Sequence, residues 1–99
     1  MKHKTYDFSV LDVSEVYAGP GGKLWELLMG EQIHVGGVEQ TEKLAELVEL
    51  EKYNSNGKLL DICCALGGPI RHLAPIYDLE FVGLDITKEM LQAAEKRTA

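Results

Sequence analysis

The sequence predicts an α/β fold built around one strand-helix-strand unit. Two short apolar runs, at residues 59–62 and 81–84, have the composition of strands buried on both faces. A short segment that carries a glycine-containing turn and a helical pattern separates them. Two strands joined by a single crossover helix can only be parallel, with a right-handed connection. We therefore expect a parallel β-α-β unit over residues 58–85.

The chain divides into three parts. Residues 1–22 form a lead-in arm or short helix that ends at the breaker AGPGG, through which no helix is expected to pass. Residues 23–57 form a helical cap segment with a short helix, a loop and a longer helix. Residues 58–99 contain the β-α-β unit and the start of a further helix, so the fold expected of the whole chain is incomplete.

Amphipathic patterns and capping residues place the helices. The clearest helix covers residues 41–53, and its apolar face is predicted to point inward at Leu44, Leu47, Val48 and Leu50. The crossover helix should begin at Pro69, where a missing N–H group is harmless, and should end at Pro75. Thr87 is the predicted N-cap of one more helix.

The ends of the two strands predict a ligand site. In open α/β sheets ligands bind beyond the carboxyl ends of the strands, which places residues 61–68 and 85–90 around one crevice. Asp85 ends the second strand, and a carboxylate there can accept hydrogen bonds from both hydroxyl groups of a ribose. These features indicate a nucleoside ligand.

Asp61 distinguishes between nucleoside cofactors. A dinucleotide site must place a pyrophosphate at the following helix N-terminus, and a carboxylate at this position would repel it. S-adenosylmethionine carries a sulfonium and an ammonium group but no phosphate, so it suits this charge. The turn reads CCALGG and lacks the dinucleotide pattern G-x-G-x-x-G. S-adenosylmethionine is the favoured cofactor, and a nicotinamide or flavin site stays open as the alternative.

Two motifs of class I methyltransferases, LDxGCGxGG and GxDxS, resemble the segments LLDICCALGGPIRHLA and FVGLDITKEML of this chain. The upstream segment LWELLMGEQIHVGG resembles the entry segment of small-molecule methyltransferases related to the glycine and sarcosine enzymes. Together the resemblances cover most of the chain from Tyr17 onward. They imply a Rossmann-like methyltransferase fold, of which this chain holds only the beginning, and an S-adenosylmethionine-dependent enzyme acting on a small molecule.

The resemblance implies a role for each residue of the crevice. Asp85 would hold the ribose, and two residues, Ile86 and Met90, would flank the adenine. The methionine end of the cofactor would be lined by the turn residues Asp61, Cys63, Cys64, Ala65, Gly67 and Gly68. Cys63 and Ala65 stand where the family usually has glycine. Either the turn keeps both residues at negative φ, or cofactor binding is weakened.

Two residues of the cap segment are candidates for the acceptor pocket. His34 lies in the loop EQIHVGG, where the backbone is free to aim it at a ligand. The resemblance implies that it lies by the acceptor, where a catalytic base would help only if the acceptor amine or hydroxyl arrives protonated, while the alternative is a hydrogen-bonded loop residue. Trp25 either packs against the body of the domain or covers the methyl-transfer site with an aromatic face that attracts cations.

Composition excludes several classes of partner. The net charge is −6 and the ten Lys and Arg residues are scattered, which argues against nucleic acid. No amphipathic or polybasic membrane signature is present. Cys63 and Cys64 lack nearby metal ligands, and adjacent cysteines rarely bridge, so we expect no metal and reduced thiols. A cytoplasmic location is the corresponding expectation.

The length of 99 residues is too short for the seven-stranded sheet that the resemblance implies. A two-stranded parallel sheet leaves open edges, which another chain must cover. We expect either a second polypeptide that supplies the remaining strands or self-association. Three functions stay open: part of a small-molecule methyltransferase, a non-catalytic S-adenosylmethionine-binding regulatory subunit, and a nicotinamide-type nucleotide fold.

Overall fold

The computed structural model describes Asp7 and residues 9–98. Within them the elements are, in order, α1 (Val10–Ala18), α2 (Pro20–Met29), α3 (Gly37–Leu47), a 3-10 helix (Leu50–Tyr53), β1 (Lys58–Ile62), α4 (Gly68–Leu73), β2 (Glu80–Leu84) and α5 (Lys88–Thr98). Most of the predicted lead-in arm before Ser9 lies outside the described residues. None of the described helices is long and apolar enough to cross a membrane.

The two strands form a parallel sheet, as the sequence predicts. Lys58 lies opposite Glu80 and Ile62 lies opposite Leu84, with α4 as the crossover between the strands. This register ends both strands at the same edge of the sheet. The turns that follow β1 and β2 therefore leave the sheet side by side, which is the arrangement that a ligand crevice requires.

The hydrophobic core lies on one face of the sheet. Leu73 of α4 is buried there together with Ala45 and Leu50, and the strand residues Leu59 and Phe81 pack against them. On the other face the strand side chains remain exposed, among them Leu60 at 56% and Ile62 at 66%. The prediction that both faces of the strands are buried is therefore wrong, because α3 and α4 pack against one face only.

The helix predicted over residues 41–53 begins and ends earlier. Glu49 has a φ of 54°, in the left-handed region, and this residue separates α3 from the 3-10 helix. Inside α3 the buried residues are Thr41 and Ala45, which lie one turn apart. Leu50 is buried as predicted, whereas the inward orientation predicted for three other residues is wrong, since they are exposed: Leu44, Leu47 and Val48.

The N-terminal helices α1 and α2 meet at Gly19. A capping box between Ser9 and Asp12 begins α1, which the sequence predicted only as an arm or short helix. The predicted break occurs at Gly19, but Pro20 already lies in the first turn of α2, where proline is favoured. Gly22 lies so close to α1 that a Cβ there would be 1.8 Å from the Tyr17 carbonyl oxygen.

Substitutions of the neighbouring glycines Gly21 and Gly22 should have opposite effects on stability. Gly22→Ala is expected to destabilise the protein by about 1–3 kcal/mol, because α1 and α2 would have to separate. In Gly21→Ala the closest contact is 3.4 Å, and we expect no loss or a gain of about 0.5 kcal/mol from helix propensity. Urea unfolding followed by circular dichroism measures both, and equal losses would contradict this account of the helix contact.

Candidate functional site

One carboxylate joins the turns that follow the two strands. The Ala65 N–H donates to Asp85 Oδ2 at 2.9 Å, and the Thr87 N–H donates to Asp85 Oδ1 at 2.8 Å. Thr87 is almost completely buried. Each carboxylate oxygen can accept a second hydrogen bond. Asp85 therefore fixes the two walls of the crevice and keeps the capacity to bind hydroxyl groups of a ligand.

The turn after β1 has an unusual backbone. Cys63 has a φ of 64° and Ala65 a φ of 47°, so the alternative that both stay at negative φ is wrong. The turn is held by hydrogen bonds from the Cys64 N–H to the Leu84 carbonyl at 3.0 Å and from the Gly67 N–H to the Cys64 carbonyl at 2.8 Å. A left-handed conformation costs a residue with a side chain about 1–2 kcal/mol. The surrounding hydrogen bonds offset this strain.

Cys64 and Cys63 differ in environment, although neither forms a disulfide. Cys64 is buried, and its Sγ lies so close to Gly83 that a Cβ on that glycine would be 2.8 Å away. Burial raises the pKa of the Cys64 thiol, and the nearby Asp85 and Asp61 carboxylates raise it further. A thiol that stays protonated suits a packing role. Cys63 is exposed at the mouth of the turn.

The entry loop of residues 31–36 rests directly on Gly68. A Cβ at Gly68 would lie 2.5 Å from the Glu31 carbonyl oxygen, so only glycine allows this approach. The Glu31 carboxylate accepts from Arg71 Nη2 at 2.9 Å, and this hydrogen bond lowers the pKa of Glu31. On α5, Arg97 pairs with Glu26 of α2 at 2.6 Å. These ion pairs hold the entry loop and α2 to α4 and α5.

His34 lies in the entry loop with both ring nitrogens engaged. Nε2 is 2.9 Å from the Thr41 hydroxyl, and Nδ1 is 3.1 Å from the Val35 carbonyl oxygen. Thr41 in turn donates to the Gln32 side chain. Sequence reasoning missed Gln32 and Thr41, because nothing in the spacing of two polar residues nine positions apart indicates a contact. The role of His34 as a catalytic base stays a prediction.

Asp61, near the end of β1, has a carboxyl group that is partly buried. Burial raises the pKa of Asp61, a positive charge on His34 lowers it, and the Asp85 carboxylate raises it. The crevice thus contains two carboxylates and one histidine. This arrangement attracts cations and hydroxyl groups and disfavours phosphate.

The remaining predicted site residues differ in accessibility. Ile86 is 62% exposed and is available to a ligand, whereas Met90 is buried at 6%. Trp25 lies on α2 and is 47% exposed, so a large part of its ring is not packed against the domain. The adenine contacts of Ile86 and Met90 and the acceptor contact of Trp25 stay predictions. Within the described residues no group of side chains is suited to hold a metal ion.

An apolar cavity of about 650 Å³ lies beside the crevice. It is lined by α3, β1 and α4, with Leu44, Leu60 and Ile70 among its apolar residues and with His34 and Asp61 among its polar ones. Asp85 is not among the lining residues. The cavity and the crevice share His34 and Asp61, and we assign the nucleoside site to the turns because they carry the hydrogen-bonding groups.

The strain in the turn can be measured with two alanine-to-glycine substitutions. Ala65→Gly relieves a positive φ, and we expect a stability gain of up to about 1 kcal/mol after the greater freedom of the unfolded chain is subtracted. Ala74 has a φ of −57°, so Ala74→Gly should lose about 0.5–1 kcal/mol. Thermal unfolding compares the two variants. A loss in both would show that Ala65 is not strained.

No protein-family model matches the chain. The chain is 34% identical over 84 residues to a phosphoethanolamine N-methyltransferase of Plasmodium falciparum (isolate 3D7), which is 84% of this chain and 30% of the relative. It is 29% identical over 79 residues to phosphoethanolamine N-methyltransferase 3 of Arabidopsis thaliana, covering 79% of this chain and 16% of the relative. Phosphoethanolamine N-methyltransferase 1 of Triticum aestivum is also 29% identical, over 82 residues, which are 82% of this chain and 16% of the relative.

The chain thus spans less than a third of the length of these curated relatives. The comparisons support the predicted resemblance to small-molecule methyltransferases, and they do not show a particular similarity to the glycine and sarcosine enzymes. Over most of its own length, this chain is similar to a part of phosphoethanolamine N-methyltransferases.

Proposed function

We propose that this chain is the S-adenosylmethionine-binding portion of a small-molecule methyltransferase. The observation that carries the proposal is the Asp85 carboxylate, which joins the turns after two parallel strands and can still accept hydroxyl groups. The similarity to phosphoethanolamine N-methyltransferases supports it independently. The two carboxylates of the crevice suit a cationic ligand with a ribose, and they disfavour the pyrophosphate of a nicotinamide cofactor.

Each part of the crevice has a role in this proposal. Asp85 binds the ribose hydroxyls, and Asp61 attracts the ammonium group at the methionine end. Gly67 supplies a positive φ in the turn, Gly68 allows the entry loop to approach, and the exposed side chain of Ile86 lies beside the adenine. When bound, S-adenosylmethionine supplies an activated methyl group for direct transfer to a nucleophile. The protein's task is to hold both reactants close and to exclude water.

The acceptor is proposed from the relatives. Their names give phosphoethanolamine as the substrate, so a small amine of this kind is the first acceptor to test. His34 and Trp25 are the residues of this chain that we propose for the acceptor side, because both belong to the segment that precedes the sheet. A non-catalytic cofactor-binding subunit is the second candidate, and the strained backbone at Cys63 and Ala65 favours it.

We also propose that another polypeptide completes the sheet. Among the described residues β1 pairs only with β2, and the side chains of Leu60 and Ile62 are exposed. The apolar cavity along α3 and α4 also borders β1. Exposed strand edges and apolar surfaces of this kind favour pairing with a further strand. A second polypeptide or a second copy of this chain would pair with the open edge of the sheet and cover the exposed apolar side chains.

Native mass spectrometry with added S-adenosylmethionine tests binding and subunit number together. We expect one cofactor per chain. Asp85→Asn should weaken binding at least tenfold, because two ribose contacts and the link between the turns are affected. Glu80→Gln is the matched control, since it removes one negative charge at the opposite end of β2, where Glu80 pairs with Lys58 on the surface.

A folded wild-type chain that takes up no S-adenosylmethionine at millimolar concentration would overturn the proposed cofactor. Preferential uptake of NAD⁺ in a competition would support the nicotinamide alternative instead. Circular dichroism of Asp85→Asn separates a binding defect from a folding defect. Adding phosphoethanolamine and measuring S-adenosylhomocysteine then distinguishes an active enzyme from a non-catalytic subunit.

Asp61→Asn should stabilise the protein while weakening cofactor binding. Burial raises the pKa of Asp61 in the folded state, so its ionisation opposes folding above that pKa and has no effect below the unfolded value near 3.8. We expect a gain below about 1 kcal/mol at pH 7, because solvent screens a partly exposed carboxyl group. The gain in stability should disappear as the pH falls below the pKa of this carboxyl group in the unfolded chain. Cofactor affinity at pH 7 should fall about tenfold with the loss of one charge contact.

Asp12→Asn is a control for which the expected change in stability has the opposite sign. Backbone and side-chain hydrogen bonds from Ser9 lower the pKa of Asp12, so its ionised form supports folding above the unfolded pKa and the support is lost on acidification through the folded pKa. Asp12→Asn should therefore destabilise the protein at pH 7 and leave cofactor binding unchanged. Urea unfolding between pH 3 and pH 7 compares the variants. A destabilised Asp61→Asn at pH 7 would contradict the assignment.

A further inference from the structure

The apolar cavity beside the crevice has the size and composition of a small-molecule site. Its volume of about 650 Å³ lies within the range of about 300–1,000 Å³ that is usual for such sites. Apolar side chains of α3, β1 and α4 form most of its wall. Two of them, Leu44 and Leu47, are also exposed to solvent, so the cavity is open along α3. A ligand with an apolar part can therefore enter the cavity and bury that part against the wall.

Three polar residues of the cavity wall lie close to one another. The Thr41 hydroxyl is 2.9 Å from His34 Nε2, and both residues line the cavity together with Asp61. Burial raises the pKa of Asp61, a positive charge on His34 lowers it, and the Asp85 carboxylate raises it, so these side chains interact. The residues that the cavity shares with the crevice are therefore polar. A ligand in the cavity would place its polar group at this junction and its apolar part away from it.

The charges at the junction favour an ammonium group over a phosphate group. Asp61 and Asp85 are two carboxylates that repel each other, and together they can hold two ammonium groups, one from the proposed cofactor and one from a second ligand. A phosphate group is held by several cationic donors. Among the described residues that line the cavity, Lys43 is the only permanently charged cation. The cavity is therefore better suited to an amine than to a phosphate ester.

We propose that this cavity binds the methyl acceptor, and that the acceptor is an amine that carries an apolar chain. The inference rests on the proposed methyltransferase function and deepens it, because it names the class of substrate. The apolar chain packs against the leucines of α3 and α4, and the amine lies at the junction with the crevice, near Asp61 and His34. This class of acceptor differs from that of the relatives, whose names give a phosphorylated amine.

The apolar part is tested with three n-alkylamines of increasing length, namely ethylamine, butylamine and hexylamine. Isothermal titration calorimetry on the full chain gives the Kd of each. We expect the affinity to increase about threefold for each added methylene group, because each one leaves water when the chain enters the cavity. Phosphoethanolamine, which has no apolar chain, should bind more weakly than hexylamine.

The amine is tested with hexanoate, which has a chain of the same length and the opposite charge. Hexanoate should bind at least about tenfold more weakly than hexylamine, because its carboxylate meets the Asp61 carboxylate instead of pairing with it. In Asp61→Asn the preference for hexylamine over hexanoate should fall about tenfold, since this variant removes the charge and keeps the shape of the side chain.

The location is tested with two leucine variants of matched exposure. Leu44 lines the cavity and is exposed, so Leu44→Gln should weaken hexylamine about fivefold, change ethylamine less than twofold and leave the fold intact. Leu27→Gln is the control, because Leu27 is an exposed leucine of α2 that does not line the cavity. It should keep the wild-type affinities for both amines. Circular dichroism of the two variants confirms that they are folded.

The outcomes separate this inference from the proposed function. Equal affinities for ethylamine and hexylamine, or tighter binding of phosphoethanolamine than of hexylamine, would overturn the inference while a chain that binds S-adenosylmethionine keeps its proposed function. A dimer in the native mass spectrum with no amine bound would show that a second copy fills the cavity, which also overturns the inference. If the amines bind in the expected order but S-adenosylmethionine does not bind, the proposed function fails and the role of the amine as an acceptor fails with it.

Discussion

The arrangement of the site depends on the two hydrogen bonds that Asp85 accepts. A parallel strand pair brings two turns to one edge of the sheet, but it does not fix the distance between them. The Asp85 carboxylate does so by accepting from Ala65 on one turn and from Thr87 on the other. The same group is the one suited to a ribose, so the walls of the crevice and the chemistry of ligand recognition share a single side chain. A change at Asp85 therefore acts on both.

The turn after β1 shows how this arrangement is maintained against strain. The Ala65 N–H donates to Asp85 while Ala65 adopts a positive φ. Cys63, two residues earlier, also has a positive φ. Glycine would adopt these angles at lower cost. Hydrogen bonds between Cys64 and Leu84 and between Gly67 and Cys64 hold the turn in place. The local conformation is therefore imposed by its surroundings rather than by the preference of its residues.

The sequence predicts the features of this chain that depend on local pattern. The apolar runs of β1 and β2, the crossover helix after Gly67 and the acidic strand ends follow from composition and spacing. The exposure of Leu44 and Leu47 does not follow from composition and spacing, because it depends on which elements cover α3 rather than on its amphipathic pattern. The break at Glu49 between α3 and the 3-10 helix also could not be foreseen, since glutamate rarely adopts a positive φ. The Gln32–Thr41–His34 contacts join residues whose spacing carries no signal.

The ion pairs of Arg71 and Arg97 and the apolar contacts of the core hold different parts of the chain and respond differently to salt. Charges that are partly exposed to solvent hold α2 and the entry loop to α4 and α5, whereas apolar contacts hold the sheet to α3 and α4. Added salt screens the first kind of contact, and sulfate or phosphate strengthens the second. We therefore expect added salt to weaken the attachment of α2 and the entry loop without weakening the packing of the sheet on α3 and α4.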